Sequence, residues 1–402
     1  MSFAKDKTIP ENTVYVPEIL LPADADMTVW AVNACDQFTS DPAYWAQVEE
    51  LTRGKSSTYH LIFPEIYLKD GADERIAKIN STMREYLSSG VFKTVEGGFV
   101  LVERTTAQSG MRTGLVICVD LEQYSYKKGD CALIRSTEET VLDRLPPRIK
   151  IRCDAALELP HIMLLYDDPT FSVLGAAQRG DVLYDFELNM GGGHIKGTFI
   201  KNPDDVINAF YGLSSCCGNG GMLFAVGDGN HSLAAAKSCW EAIKPHLSKE
   251  QLKTHPARYA LCESVNIYDP ALNFHPIHRF IKTDAAEKFL SDWNINGSGR
   301  AYVVIGGVKT AVPFPENVPE GIRLADEYIA SFITKNGGEV DYIHGDEELT
   351  LLTAHGAGLL LPAIEKADFF NLIKTGGNLP KKTFSLGEGC EKRYYVEAKK
   401  IK

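Results

Sequence analysis

The chain has 402 residues, room for two or three domains, and its 44% hydrophobic and 24% charged fractions are those of a globular protein with a sizeable core. A formal net charge of −11, from 53 acidic against 42 basic residues, argues against nucleic acid or anionic lipid as a general partner and leaves room for a local basic pocket. The longest apolar runs, HIMLLY and LLLPAI, are too short to span a bilayer, and the start MSFAKDKTIPENT lacks a signal-peptide core, so a cytoplasmic protein without a membrane is expected.

In chain order, VYVPEILLP and TVWAVN are extended segments punctuated by proline. SDPAYWAQVEEL follows as a helix: Ser40 or Asp41 caps it, Pro42 suits its first turn, and Tyr44, Trp45, Val48 and Leu51 share a face. HLIFPEIYL is expected to be a strand, and ERIAKINSTMREYLSSG an amphipathic helix closed by Gly90. GFVLVERTT and RTGLVICVDLEQY make a hairpin across AQSGM. In RSTEETVLDRL, Ser136 and Glu139 have the spacing of a capping box, which predicts a helix start. HIMLLYDDP is a buried strand and turn. VLYDFELNMGGGHIKGTFI is a second hairpin, its glycines a turn because no helix follows them. DDVINAFYGL is a short helix, and the strand GMLFAV and the Ala-rich helix SLAAAKSCWEAI then flank the turn GDGNHS.

Downstream, ARYALCESVNIYDPAL is a strand and turn, and Pro276 keeps NFHPIHRFIK extended. The helix AAEKFLSDWNI leads to the hairpin AYVVIGGVKTAVPF, and IRLADEYIASFITKNGG carries an apolar stripe closed by Gly337. LTLLTAHGAGLLLP, the helix KADFFNLIKTGG and the strands KKTFSLG and RYYVEAKKI complete the chain. Mixed hairpins and packed helices predict an α+β fold, divided as 1–155, 156–285 with the turn, and 286–402, with interleaving of these regions left open. Nine cysteines, no Cys-x-x-Cys pair and the adjacent Cys216 and Cys217 read as reduced thiols.

The turn at 227–232 carries the chemistry. Gly227 and Gly229 admit positive φ, so several amides can be aimed at one point where a helix N-terminus adds positive charge; a phosphate or carboxylate suits such a place. Asp228 would hold Mg²⁺ or orient a hydroxyl, and Asn230, His231 and Ser232 would donate hydrogen bonds. The alternative is a tight turn in which Asp228, Asn230 or Ser232 caps the helix and His231 is a surface residue. His275 and His278 have no third ligand close in sequence, which argues against zinc and leaves His278 and Arg279 as polar groups near a substrate. Asp36 and Cys35, in NACDQFTSD, are a candidate base and a candidate nucleophile; a loop capping the next helix accounts for them equally well.

GDGNHSLAAAK resembles the Asp-Gly-His-His-Arg-Tyr turn of a bacterial and archaeal family known as domain of unknown function 1015. RSTEET resembles that family's Arg-x-His-Glu-x-Thr box, YDPALNFHPIHR its Asp-Pro…Leu-Pro-Thr-His-Arg segment, LPKKTFSLG its Met-Pro-Gln-Lys-Ser-Thr-x-Phe-x-Pro signature, and NACDQFTSD its Pro-Pro-Tyr-Asp box. The turn is also similar to that of the free serine kinases and, more loosely, to ParB and sulfiredoxin nucleotide-binding loops. The resemblance implies a ParB/sulfiredoxin-like core plus an additional α+β region, and a loop that cradles nucleotide phosphates.

Two departures qualify it. Ser232 stands where the kinase-like turn has arginine, which removes a bidentate phosphate donor; Arg135, Lys237, Arg279, Lys381 and Lys382 are the candidate replacements. Asn230 stands where sulfiredoxin needs its cysteine, so that reaction is excluded. The expected function is binding of ADP, ATP, CTP or a small phosphorylated metabolite with Mg²⁺ at Asp228, in a phosphotransferase acting on a small hydroxylated acceptor. Asp228, His231, Glu138 and Asp36 are its catalytic candidates, and Arg135 and Lys382 its positive charge. A non-catalytic sensor and a phosphoester hydrolase are the alternatives.

Overall fold

The alternating apolar runs between Val14 and Asn266 meet in one large sheet. The structure, a computed structural model, describes residues 10–68, 72–138, 145–215, 221–387 and 389–402. The chain divides into two compact units, Met1–Leu272 with Glu388–Lys402, and Asn273–Gly387. The fold is α+β. Among the described residues no helix is long and apolar enough to cross a membrane.

The first unit is built on ten strands: β1 (Val14–Tyr15), β2 (Phe99–Thr106), β3 (Gly110–Asp120), β4 (Tyr124–Ser125), β5 (Ile134–Ser136), β6 (Met163–Tyr166), β7 (Arg179–Glu187), β8 (His194–Ile200), β9 (Phe224–Asp228) and β10 (Tyr259–Asn266). Their order is β7-β8-β2-β3-β10-β6-β9-β5-β4, with β1 added beside β3. The hairpins β2–β3 and β7–β8 are antiparallel, as their alternation and turn glycines predict. The pairs β10–β6 and β9–β5 are parallel. One face buries Leu101, Ile117, Leu164, Val226 and Cys262 against Leu233, Ala236 and Trp240 of the helix that follows β9. Three helices matter for the site: α1 (Ala72–Ser88), α2 (Leu145–Cys153) and α3 (Asn230–Ile243). The helix expected after Ser40 is also present, with Pro42 in its first turn and Asp41 accepting from the Tyr44 amide.

Two expectations give way. HLIFPEIYL is two short 3₁₀ turns, Thr58–Leu61 and Glu65–Tyr67, because Ser57 caps the first and Pro64 opens the second. RSTEET does not open a helix where the capping box predicts one. Arg135 and Ser136 end strand β5, and the Ser136 hydroxyl donates to the Glu138 carbonyl and to Asn230; Glu139, the other half of that box, lies outside the described residues.

The C-terminal segment belongs to the first unit. Tyr394–Tyr395 pairs with Val32–Asn33, Lys399–Lys400 pairs with Leu157–Glu158, and the Trp30 indole donates to the Val396 carbonyl at 2.8 Å. Arg393 is buried between Glu263 and Glu397, which pins this segment to β10. In the second unit, strands Gly299–Ile305, Val308–Phe314, Gly356–Leu360, Phe274–Lys282 and Glu339–His344 form a sheet backed by the helix Val318–Asn336. Ile281, Phe289, Val303, Ile322, Ile329 and Phe332 share its core.

Candidate functional site

Strand β9 ends at Asp228 and α3 begins at Asn230, so Gly229 alone makes the reversal. Its φ of +79° lies in the left-handed region, and a Cβ there would come within 3.0 Å of Ile162 Cα and Cγ1. Glycine is required on both counts. No side chain caps the 14-residue helix α3, so its first turn keeps the positive end of the dipole toward Asp228. The Gly229 amide is not one of the ligand donors that the sequence predicts, because it donates back to Asp228 Oδ1 at 2.8 Å.

The other Asp228 oxygen accepts from Lys392 Nζ at 3.0 Å. Burial works to raise the Asp228 carboxyl, but the Lys392 ammonium holds it below its ordinary value, with His161 and the Gly229 amide assisting. Burial works in the opposite sense on Lys392, and Asp228 holds it above its ordinary value. Asp36 adds to that field and is half-buried beside Cys35. Lys392 and Asp228 meet although they lie far apart in sequence. Both Asp228 oxygens are engaged, and among the described residues no group of three or more His, Cys, Asp or Glu is placed to hold a metal.

Asn230 faces β5. Its Oδ1 accepts from Ser136 Oγ at 2.6 Å and from the Thr137 amide at 3.2 Å, while Thr137 Oγ1 donates to the Val226 carbonyl at 2.6 Å. The RSTEET segment therefore reaches the turn through Ser136 and Thr137. Arg135 is buried with Nε on the Ala132 carbonyl, and Glu138 is half-buried just past β5. His231 is half-buried on the first turn. Ser232 turns its hydroxyl to His161 Nε2, 3.0 Å away, and His161 Nδ1 lies 2.6 Å from the Tyr395 hydroxyl. Tyr395 in turn donates to Cys35 Sγ at 3.0 Å. Burial, with Asp36 adding to it, pushes the Cys35 thiol up to about 12, which disfavours the thiolate that a nucleophile needs.

Residues 19–318 match the family described as "Protein of unknown function (DUF1015)". The chain belongs to that family. No curated protein matches the chain. Among solved structures, the DUF1015 chain is similar to a free serine kinase in complex with ADP, at 11% identity and a TM-score of 0.41, over 74% of this chain and 95% of that one. It is also similar to a conserved hypothetical protein from Pyrococcus furiosus, at 11% identity and a TM-score of 0.36, over 68% and 90% of the two chains. A third is SbnI with a C-terminal truncation from Staphylococcus aureus, at 8% identity and a TM-score of 0.36, over 67% and 81%.

Elsewhere in the DUF1015 chain, several candidate residues serve the scaffold. His278 and Arg279 belong to the second unit and are buried. His278 lies 3.0 Å from Asp346 Oδ1 and accepts from the Leu361 amide; burial lowers its pKa, with Asp346 opposing. Arg279 clasps Asp326 at 2.8 and 3.1 Å and donates to the carbonyls of Ile277, Lys381 and Lys382. Lys381 and Lys382 are exposed in that same unit. Lys237 is tied to the Leu121 carbonyl and to Glu241. Three residues that sequence reasoning missed stand at the turn instead: His161, read only as the start of a strand, and Lys392 and Tyr395, which lie in and beside RYYVEAKKI. A histidine abutting a buried strand was the one available signal.

Proposed function

We propose that the 227–232 turn binds a nucleotide or small phosphorylated metabolite, in a phosphotransferase for small molecules. The observation that carries this reading is a half-buried lysine, Lys392, held by Asp228 beside an uncapped helix N-terminus that starts at a left-handed glycine. Together they offer an ammonium and backbone donors to one anion, and Lys392 fills the place of the arginine missing at Ser232. In this reading Asp228 positions Lys392, His231 donates to the phosphate or carries a proton, and Asp36 or Glu138 serves as base. Mg²⁺ arrives with the nucleotide's own phosphates. The half-buried state of Gly227, Asp228, Asn230 and His231 agrees with a turn that a ligand can reach.

The test is thermal shift with ATP, ADP, CTP, pyrophosphate and phosphoserine, each with and without Mg²⁺. A ligand at 100 times its Kd stabilises the folded state by about 2.7 kcal/mol, a rise in Tm of roughly 3–5 °C. Turnover of a stabilising ligand separates an enzyme from a sensor, and His231→Ala should then abolish turnover without lowering the Tm. If no phosphate compound shifts the Tm, the reading fails.

A further inference from the structure

The anion reading uses the backbone of the turn and Lys392, and it leaves Ser232, His161, Tyr395 and the cavity beside them unemployed. We propose that Ser232 is the nucleophile of an acyl-transfer site, with His161 as its base, acting on esters of a short apolar acid. This proposal does not rest on nucleotide binding.

The relay uses one tautomer of His161, and the hydrogen bonds around Tyr395 accommodate it. The Tyr395 hydroxyl lies 3.0 Å from Cys35 Sγ and its oxygen accepts from the Cys35 amide at 3.3 Å. With the imidazole proton on Nδ1, directed at the phenol oxygen 2.6 Å away, Nε2 presents its lone pair to the Ser232 hydroxyl 3.0 Å away. Nucleophile, base and orienting group stand in the sequence that activates a serine. The base is also held in place. His161 is 9% exposed, Arg393 Nε donates to the preceding Pro160 carbonyl at 3.0 Å, and the following Ile162 carbonyl accepts from the Glu263 amide at 3.0 Å.

Ser232 and His161 line a cavity of about 150 Å³ whose walls combine apolar side chains, Leu61, Phe63, Met83 and Ala235 among them, with the ion pairs Arg148–Glu65 and Arg152–Glu158. A space of that size takes a benzene-sized molecule, so an acyl group of about four to six carbons lying along the apolar side matches it. Ser232 sits in the first turn of α3, and negative charge developing on the acyl oxygen falls beside the helix's positive end. Ser232 Oγ attacks the ester carbonyl carbon while its proton passes to His161 Nε2. The ester C–O bond breaks, and the leaving alkoxide takes that proton. Water, losing a proton to His161, then attacks the acyl-Ser232 carbonyl, releases the carboxylic acid and restores the serine hydroxyl as His161 returns the proton.

The full chain is treated with a fluorophosphonate probe and the adduct mapped by peptide mass spectrometry, alongside hydrolysis of p-nitrophenyl esters of increasing chain length. The expected results are an adduct on Ser232, loss of adduct and hydrolysis in Ser232→Ala, and a fall in kcat of about 100-fold or more in His161→Gln. Ala235→Leu shifts the preference to shorter chains, and Tyr395→Phe lowers kcat with little change in KM. No adduct on Ser232 in the folded parent protein overturns the proposal, and so does hydrolysis that persists in Ser232→Ala.

Discussion

Replacing Lys392 by methionine removes one half of the pair at the turn and keeps most of its volume. The two charged atoms are 3.0 Å apart, and the side chains are 13% and 25% exposed. With an effective dielectric constant of about 20, Coulomb attraction at that distance is roughly 5 kcal/mol, part of it offset by the desolvation of both groups. Breaking a fully buried pair costs about 3–5 kcal/mol; water reaching the exposed quarter of Asp228 reduces this to about 2–3 kcal/mol. The pH dependence carries the sign. In the parent, Asp228 is held below its ordinary value, so its contribution is present above the ordinary carboxyl range and is lost as pH falls through the folded value. In the variant only burial acts strongly, the carboxyl shifts upward, and the penalty is relieved as the group protonates. The gap between the two proteins is therefore widest near neutrality and narrows toward about pH 4. Urea melts at both pH values, followed by tryptophan fluorescence, read it directly, since Trp30, Trp45 and Trp240 all lie in the first unit. Equal midpoints for parent and variant at neutral pH would refute the reasoning. The Asp228→Asn, Lys392→Met double variant should recover much of the loss.

Gly229→Ala should lower stability by about 2 kcal/mol in calorimetry, because the left-handed backbone alone costs roughly 1–2 kcal/mol and the new methyl meets Ile162 at 3.0 Å. A parent-like Tm would mean that the turn relaxes around the methyl. Thiol reactivity should follow burial: Cys131 and Cys153 are exposed and alkylate in the native protein, whereas burial pushes Cys118 up to about 12 and Cys262 well above its ordinary value. Iodoacetamide labelling with peptide mapping at pH 8 checks this, and rapid native labelling of Cys118 would contradict it.

What the sequence makes legible here is local. An apolar run, two glycines and an Ala-rich segment specify a strand, a turn and a helix within neighbours' reach, and the structure has β9, Gly229 and α3 in those places. HLIFPEIYL misleads because Leu61, Ile62 and Phe63 are all buried, and a continuous apolar run carries no period to separate a strand from 3₁₀ turns. In RSTEET, the Ser136 hydroxyl finds its partner 94 positions away in Asn230, which local spacing does not reveal. The pairing of Lys392 with Asp228 is not legible, since the two lie 164 positions apart and only tertiary packing joins them.

The closing segment of the first unit is synthesised only after the whole of residues 273–387. At about 5–20 residues per second, a ribosome needs roughly 6–23 s to cross that interval. Throughout it, the nascent Asp228 lacks its ammonium, His161 its phenol, and the Trp30 indole its acceptor carbonyl. Birth order thus delays these contacts at the turn until residues 392–396 have been made, and a chain that stalls or is clipped inside the second unit leaves the first without them.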